Sequence, residues 1–187
     1  SFSNKLFIRN FTGSEMKLIE CVPNFSEGKN SNVISAITDS IKKVDGVSLL
    51  GVDPGKNTNR TVVTFVGSPV AVEQAAFNAI KTASVLIDMS KHSGTHPRMG
   101  ATDVCPLIPI SGVTYDECID LSRRLAKKVG DELSIPVYLY EKSASSSSRT
   151  NLADIRYGEY EGLSKKLKSK DWKPDFGPTD FNSKSGA

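Results

Sequence analysis

Apolar positions along this chain alternate between two periods, and the changes of period mark out its elements. Lys17-Leu18-Ile19-Glu20-Cys21-Val22 is a short apolar run that reads as a strand, stopped by Pro23-Asn24. A polar loop follows, and from Ser31 the residues Val33, Ile34, Ile37, Ile41 and Val44 recur at helical spacing until Gly46. Val47–Asp53 and Thr61–Val66 then read as two strands around the turn Pro54-Gly55-Lys56-Asn57, a hairpin. Ser68-Pro69 supplies a serine cap followed by a proline whose missing N–H costs nothing at a helix start. Val72, Ala76, Ala79, Ile80, Ala83, Leu86 and Ile87 continue as one apolar stripe. Val104–Ile110 is a strand whose prolines place it at an edge or a bulge. Thr114-Tyr115-Asp116-Glu117 matches a capping box and opens a helix carrying Cys118, Leu121, Leu125 and Val129. Ile135–Tyr140 reads as a last strand.

The first six elements are strand, helix, strand, strand, helix, strand. This order predicts an α+β fold, a ferredoxin-like βαββαβ sandwich with its helices on one sheet face, here with an extra helix and strand. Residues 1–15, rich in Phe, Ser and Asn, read as an extension outside the domain, which starts near Met16. Towards the other end, Ser143–Ser148 is an exposed loop by composition, and Leu163–Lys173, with five lysines, reads as a solvated helix face. Gly177–Gly186 is rich in turn formers and reads as a linker.

Composition narrows the function classes. At 187 residues, 38% of them hydrophobic and 24% charged, the chain fits one globular domain with short appendages. The formal net charge of +3 is too mild to imply a nucleic-acid partner. No apolar run reaches the roughly 20 residues that span a bilayer, so no membrane partner is expected, and the cytoplasm follows by default. Cys21, Cys105 and Cys118 show no CxxC or Cys/His ligand spacing, which points to small buried hydrophobes in a reducing compartment rather than disulfides or structural zinc.

Both histidines of the chain lie in one glycine-punctuated stretch, Ser90–Val104. Imidazole is the side chain that changes charge near neutral pH without perturbation, so proton-transfer capacity is concentrated there. Pro97 holds His96 extended, while Gly94 and Gly100 permit tight turns around it. Lys91 and Arg98 nearby favour a neutral, proton-accepting ring, as a general base requires. A structural, hydrogen-bonded histidine is the other reading of the same spacing. The i, i+4 interval of His92 and His96 would suit a helical zinc pair, but Gly94 and Pro97 oppose a helix, so no metal is expected. Asp53 ends a strand before a Pro-Gly turn, which suits either a site at the sheet edge or plain turn chemistry. Arg60 starts the next strand and either faces the same pocket, where its planar fork would grip a carboxylate, or forms a surface ion pair.

Several segments together resemble one known family. They are Glu20–Gly28, Thr58–Val62, Leu86–Ser90, His96–Ala101, Asp103–Pro106, Pro136–Tyr140, Gly158–Glu161 and Pro174–Pro178. In this order, from about Met16 to the end, they are similar to the amino-terminal subdomain of glutamate formimidoyltransferase, the transferase part of formimidoyltransferase-cyclodeaminase. The resemblance implies a ferredoxin-like subdomain over residues 16–176. It also implies a folate-contacting segment and the start of a linker over 177–187, and a second subdomain beyond, with folate held between the two.

The implied reaction passes a formimino group between N-formimidoyl-L-glutamate and tetrahydrofolate, a step of histidine degradation and one-carbon metabolism, with tetrahydrofolate as co-substrate and no metal. The family's catalytic histidine falls on His96, and an active-site aspartate on Asp53. Its folate-contacting segment falls on Gly177, Pro178, Thr179, Asp180, Phe181, Asn182, Ser183, Lys184, Ser185 and Gly186. Given that reaction, Asp53 is expected either to orient His96 or to bind a pterin nitrogen, and Arg60, Arg98 and the lysines of the tail to attract the carboxylates of glutamate and folate. Homo-oligomerisation would cover apolar surface left by a half-enzyme. The alternative is a non-catalytic folate-binding or assembly module that retains the subdomain fold.

Overall fold

A computed structural model describes residues 15–187; the extension read at residues 1–15 lies, apart from Glu15, outside the described residues. Strands β1 (Leu18–Cys21), β2 (Asn24–Phe25), β3 (Val47–Gly55), β4 (Arg60–Gly67), β5 (Thr102–Val104) and β6 (Leu107–Ser111) form one antiparallel sheet. β4 is central: it pairs with β3 on one side, and on the other with β1 and then β2, which follow each other along it. β5 pairs with β2, and β6 with β1. The run expected as one strand over Val104–Ile110 is thus split at Cys105-Pro106. β6 pairs on one side only, which is where Pro109, lacking an N–H, is tolerated.

Helices α1 (Ser31–Lys42), α2 (Pro69–Leu86) and α3 (Tyr115–Leu133) cover one sheet face. Each begins on a side-chain cap: Asn30 Oδ1 accepts from the N–H groups of Asn32 and Val33, Ser68 Oγ from Ala71, and Thr114 and Glu117 close the reciprocal box. The helices bring Ile37, Ile41, Val72, Ala76, Leu121 and Leu125 onto Ile19, Cys21, Phe25, Val63 and Phe65 from the sheet. No helix among the described residues is long and apolar enough to cross a membrane.

The C-terminal third departs from the sequence pattern. Ile135–Tyr140 is not a strand of the sheet; only Val137 forms an isolated bridge, to Phe176. Pro136 has no N–H to give a ladder, and Leu139 N donates to the Asp175 carboxylate instead. The lysine-rich stretch is less solvated than its composition suggests. α4 (Leu152–Arg156) and α5 (Glu159–Lys166) bury Ile155 and Leu163, and these meet Leu167 and Met99 in a second small core. Met99 belongs to the histidine loop, so this core holds the loop by its apolar end. Arg149 braces the same region, bonding Asp175 and the carbonyls of Asp171 and Lys173. Beside it, burial pushes the Tyr138 hydroxyl up to about 12.

Phe65, with Phe25, is one of the two largest fully buried side chains, packed between the sheet and the helices. Phe65→Ala is expected to cost about 3–5 kcal/mol of stability, read as a lower midpoint in urea unfolding.

Candidate active site

The histidine loop is fastened to three other parts of the chain before either ring is considered. It leaves α2 through a single 3-10 turn at Met89–Lys91, capped by Asp88. Its middle lies on the β3–β4 turn: Thr95 N donates to Asn57 O at 3.2 Å, and Asn59 Nδ2 to Ser93 O at 3.0 Å. A Cβ at Gly94 would stand 2.1 Å from Thr58 O, so only glycine allows this approach. Its entry and its exit are both tied to the C-terminal segment. Met89 N donates to Lys184 O and Ala101 N to Ser185 O, both at 2.8 Å, and Gly100 bridges Gly186.

The two rings are set in opposite tautomers. His92 Nδ1 accepts from Arg98 Nε at 3.1 Å, which leaves His92 Nε2 as the protonated nitrogen, and it donates to Asn59 O at 2.8 Å. Both nitrogens are occupied, so His92 is a structural ring. His96 Nδ1 lies 2.7 Å from Pro97 O; a carbonyl only accepts, so Nδ1 carries the proton. His96 Nε2 is then a lone pair, without a partner among the described residues, on a half-buried ring. This is the arrangement a general base needs.

Arg98 is the hub behind the loop. Its guanidinium forks onto Glu161 at 2.8 and 2.9 Å, reaches Glu159 at 3.5 Å, and donates to His92 O at 3.2 Å. Its side chain is 8% exposed. These contacts push the guanidinium further up from its already high range, chiefly through the Glu161 hydrogen bonds, and the same bonds pull the Glu161 carboxyl down. Tyr160, between the two glutamates, packs against Phe181 with ring centroids 5.5 Å apart and planes tilted by 48°, and donates to Ser183 O. Gly158–Glu161 thus joins the histidine loop to the C-terminal segment.

Arg60 is also buried and engaged. Its Nη1 meets Asp103 at 2.8 Å, and its Nε donates to Asn24. Neither arginine stands free at the surface, and Lys91 lies 3.7 Å from Asp88 with its ammonium in solvent. Asp53 is exposed on β3, in register with Val62, with no hydrogen bond or ion pair among the described residues. Of the C-terminal segment, Gly177 packs on Gly130 of α3 and on Ile135 O, and Pro178 is half-buried. Thr179, Asp180, Phe181, Asn182, Ser183 and Lys184 are exposed, whereas Ser185 and Gly186 are buried against the loop. The structure therefore gathers His96, Arg98 and residues 181–186 in one region, with Arg60 behind it and Asp53 further along the hairpin.

Composition and spacing alone did not single out Asn59, Glu159, Glu161 or Asp103 for these roles. A cavity of about 440 Å³ lies between β5–β6, α3 and residues 135–143; its mostly apolar wall does not include His96. Among the described residues no three His, Cys, Asp or Glu side chains gather as a metal would require.

The Glu161 carboxyl titrates lower in the folded chain than in the unfolded one, so its contribution is present above the unfolded value and fades as pH falls through the folded one. Glu161→Gln should lower Tm by roughly 1–3 °C, a small effect because the carboxylate is largely exposed. Above about pH 5 the gap should stay constant, and it should close in more acid solution. Calorimetry across that range checks both statements.

Residues 18–187 match the formiminotransferase domain, N-terminal subdomain. The chain is 54% identical over 171 residues to formimidoyltransferase-cyclodeaminase of Mus musculus and 53% to that of Dictyostelium discoideum, covering 91% of this chain and 32% of each relative. It is 46% identical over 170 residues to glutamate formimidoyltransferase of Streptococcus pyogenes, covering 91% of this chain and 57% of that protein. The chain therefore spans about a third of the first two relatives and rather more than half of the third. With the match running through β1, the histidine loop and the C-terminal segment, the chain belongs to the formiminotransferase family, as its N-terminal subdomain.

Proposed function

We propose that this chain supplies the amino-terminal half of a glutamate formimidoyltransferase site, in which a formimino group passes between N-formimidoyl-L-glutamate and tetrahydrofolate. The observation that carries this reading is the His96 ring, tied at Nδ1 and open at Nε2. An amine nitrogen that attacks the amidine carbon of the formimino group must lose a proton, and the amine that leaves the tetrahedral adduct must gain one. His96 Nε2 accepts the first proton and returns it to the departing nitrogen. One base serves both steps, and no covalent bond to the protein is needed.

The remaining roles follow from exposure. Asp53, open to solvent and unpaired among the described residues, suits the ring N–H groups of the pterin. It does not orient His96, whose only N–H is already given to Pro97 O. Arg60 and Arg98, neutralised internally by Asp103 and Glu161, hold the frame of the site. Attraction of the glutamate and folate carboxylates then falls to exposed cations such as Lys184. The exposed ring of Phe181, packed against Tyr160, gives the segment Gly177–Gly186 an aromatic surface for folate.

The order of pairing supports a ferredoxin-like sheet. With β1 and β2 taken as one strand and β5 and β6 as another, the sequence strands run fourth, first, third, second, all antiparallel. The exposed Leu50, Ile108 and Ile110 on the outer strands support self-association, and a cytoplasmic location is part of the same proposal.

A coupled assay with tetrahydrofolate and formimidoylglutamate, on this chain and on a longer protein containing it, tests the proposal. His96→Ala should lower transfer by about 100- to 10,000-fold with Tm unchanged. Undiminished transfer in that variant excludes His96 as the base. Folate binding without transfer in the longer protein would replace the enzyme by a binding module.

A further inference from the structure

The peptide group between Pro97 and Arg98 is held at both ends. Its carbonyl accepts the His96 Nδ1–H at 2.7 Å, and its N–H donates to the Glu159 carboxylate at 3.3 Å. The next carbonyl, that of Arg98, accepts from Tyr160 N at 2.9 Å. Two successive peptide groups behind the histidine are thus fastened to the first residues of α5. Glu159 pays a conformational cost to be there: its φ is 53°, a left-handed value disfavoured for a residue with a Cβ, directly after Gly158 at φ 89°.

Neither the ion pair nor helix α5 explains why a glutamate occupies this strained position. Glu161 already forks onto Arg98 at 2.8 and 2.9 Å, so the longer 3.5 Å contact from Glu159 adds little to holding the guanidinium. The closer partner of Glu159 is the peptide N–H. A carboxylate bonded to one end of an amide polarises it and makes the oxygen at the other end a better acceptor. In a histidine side chain free in water the Nε2–H tautomer is the more populated, so a local device is required to keep the proton on Nδ1.

We propose that Glu159 is a positioning residue for His96: through the Pro97–Arg98 peptide its carboxylate keeps Nδ1 protonated and Nε2 open. The peptide takes the place that a carboxylate would occupy in a direct His–Asp pair, and the charge sits one amide further back. The catalytic meaning of this placement rests on the reading of His96 as the proton carrier; the placement itself does not.

The chain has only two histidines, and they serve as test and control. Ring-nitrogen NMR shifts of the 187-residue chain should report Nδ1–H for His96 and Nε2–H for His92. Glu159→Gln keeps an acceptor oxygen and drops the charge; Glu159→Gly drops both and relieves the backbone. In both variants the His96 resonances should move towards the Nε2–H form, further in Glu159→Gly, while His92 stays and the Tm of Glu159→Gly is unchanged or higher. An unmoved His96 in Glu159→Gly overturns the proposal, and so does a joint shift of both rings, which would make Glu159 a general support of the loop. In a longer transferase containing this chain, Glu159→Gln should lower kcat by roughly 10- to 100-fold with KM little changed. Unchanged kcat in a variant whose tautomer has shifted overturns the catalytic part. Absence of transfer in the unmutated protein sinks the formimidoyltransferase reading and leaves the tautomer result intact.

Discussion

The Asp103 carboxylate is the point at which this structure is knotted. Its side chain has no exposed surface, and a charge in that position must be paired, or the chain carries its full desolvation cost. Asp103 Oδ2 takes Arg60 Nη1 from β4 at 2.8 Å and Arg156 Nη2 from α4 at 2.7 Å. Asp103 Oδ1 takes the backbone N–H of Met99 at 2.7 Å. The sheet, the small C-terminal helical layer and the end of the histidine loop therefore share one ion. Breaking such a pair from one side costs about 3–5 kcal/mol, because the partner is left charged and buried. The directional bonds from three elements fix how the loop sits on the sheet, which an apolar contact at the same place would leave free to slide.

From Asp103 the constraint passes outward through adjacent residues. Met99 is pinned by that carboxylate and by the second core, and Arg98, its neighbour, is pinned by Glu161. Arg98 then decides the chemistry of the nearer histidine. A guanidinium donating to His92 Nδ1 excludes a proton there, so His92 becomes a rigid spacer between the loop and Asn59. His96, beyond the reach of Arg98, turns its Nδ1 to a carbonyl and keeps one nitrogen unused. Two identical side chains four residues apart are thereby given opposite tautomers and different capacities.

Much of this fold is legible in the sequence because it rests on neighbours. The caps at Ser68 and Thr114, the stripes of α1 to α3 and the edge position implied by Pro109 are local signals, and the structure contains them. The strand read at Ile135–Tyr140 fails because its backbone is claimed by residues some 35 to 40 positions later: Asp175 and Phe176 take the places a neighbouring strand would have filled. Arg60 and Arg98 show the same limit. Their partners Asp103 and Glu161 lie 43 and 63 residues away, and no period links them. One signal was available for Arg60, a charged residue leading directly into the β-branched run Thr61-Val62-Val63, whose core-facing members are buried. His96 stands out in the sequence by its place before Pro97, but its tautomer depends on which atom Pro97 presents, and only the folded loop determines that.

Burial sorts the charged groups near His96 into two kinds of work. Arg60 and Arg98, with side chains 8% exposed, are neutralised by carboxylates of this same chain, so their charge is directed inward. Asp53 and Lys184 are exposed and make no ion pair among the described residues; their charge is available to an incoming molecule. A site whose strong cations were free would attract anions broadly and hold the loop loosely. Here the cations are used for rigidity, and the proposed reading leaves recognition to weaker, solvated groups and to the Tyr160–Phe181 ring pair. On the proposed reading, affinity for a pterin with an acidic tail rests mostly on shape and ring contacts, while the position of the imidazole rests on ion pairs behind the loop. The proposed reading thus makes the two properties separable, with Phe181 and Lys184 assigned to binding and Asp103, Glu159 and Glu161 to the geometry of His96.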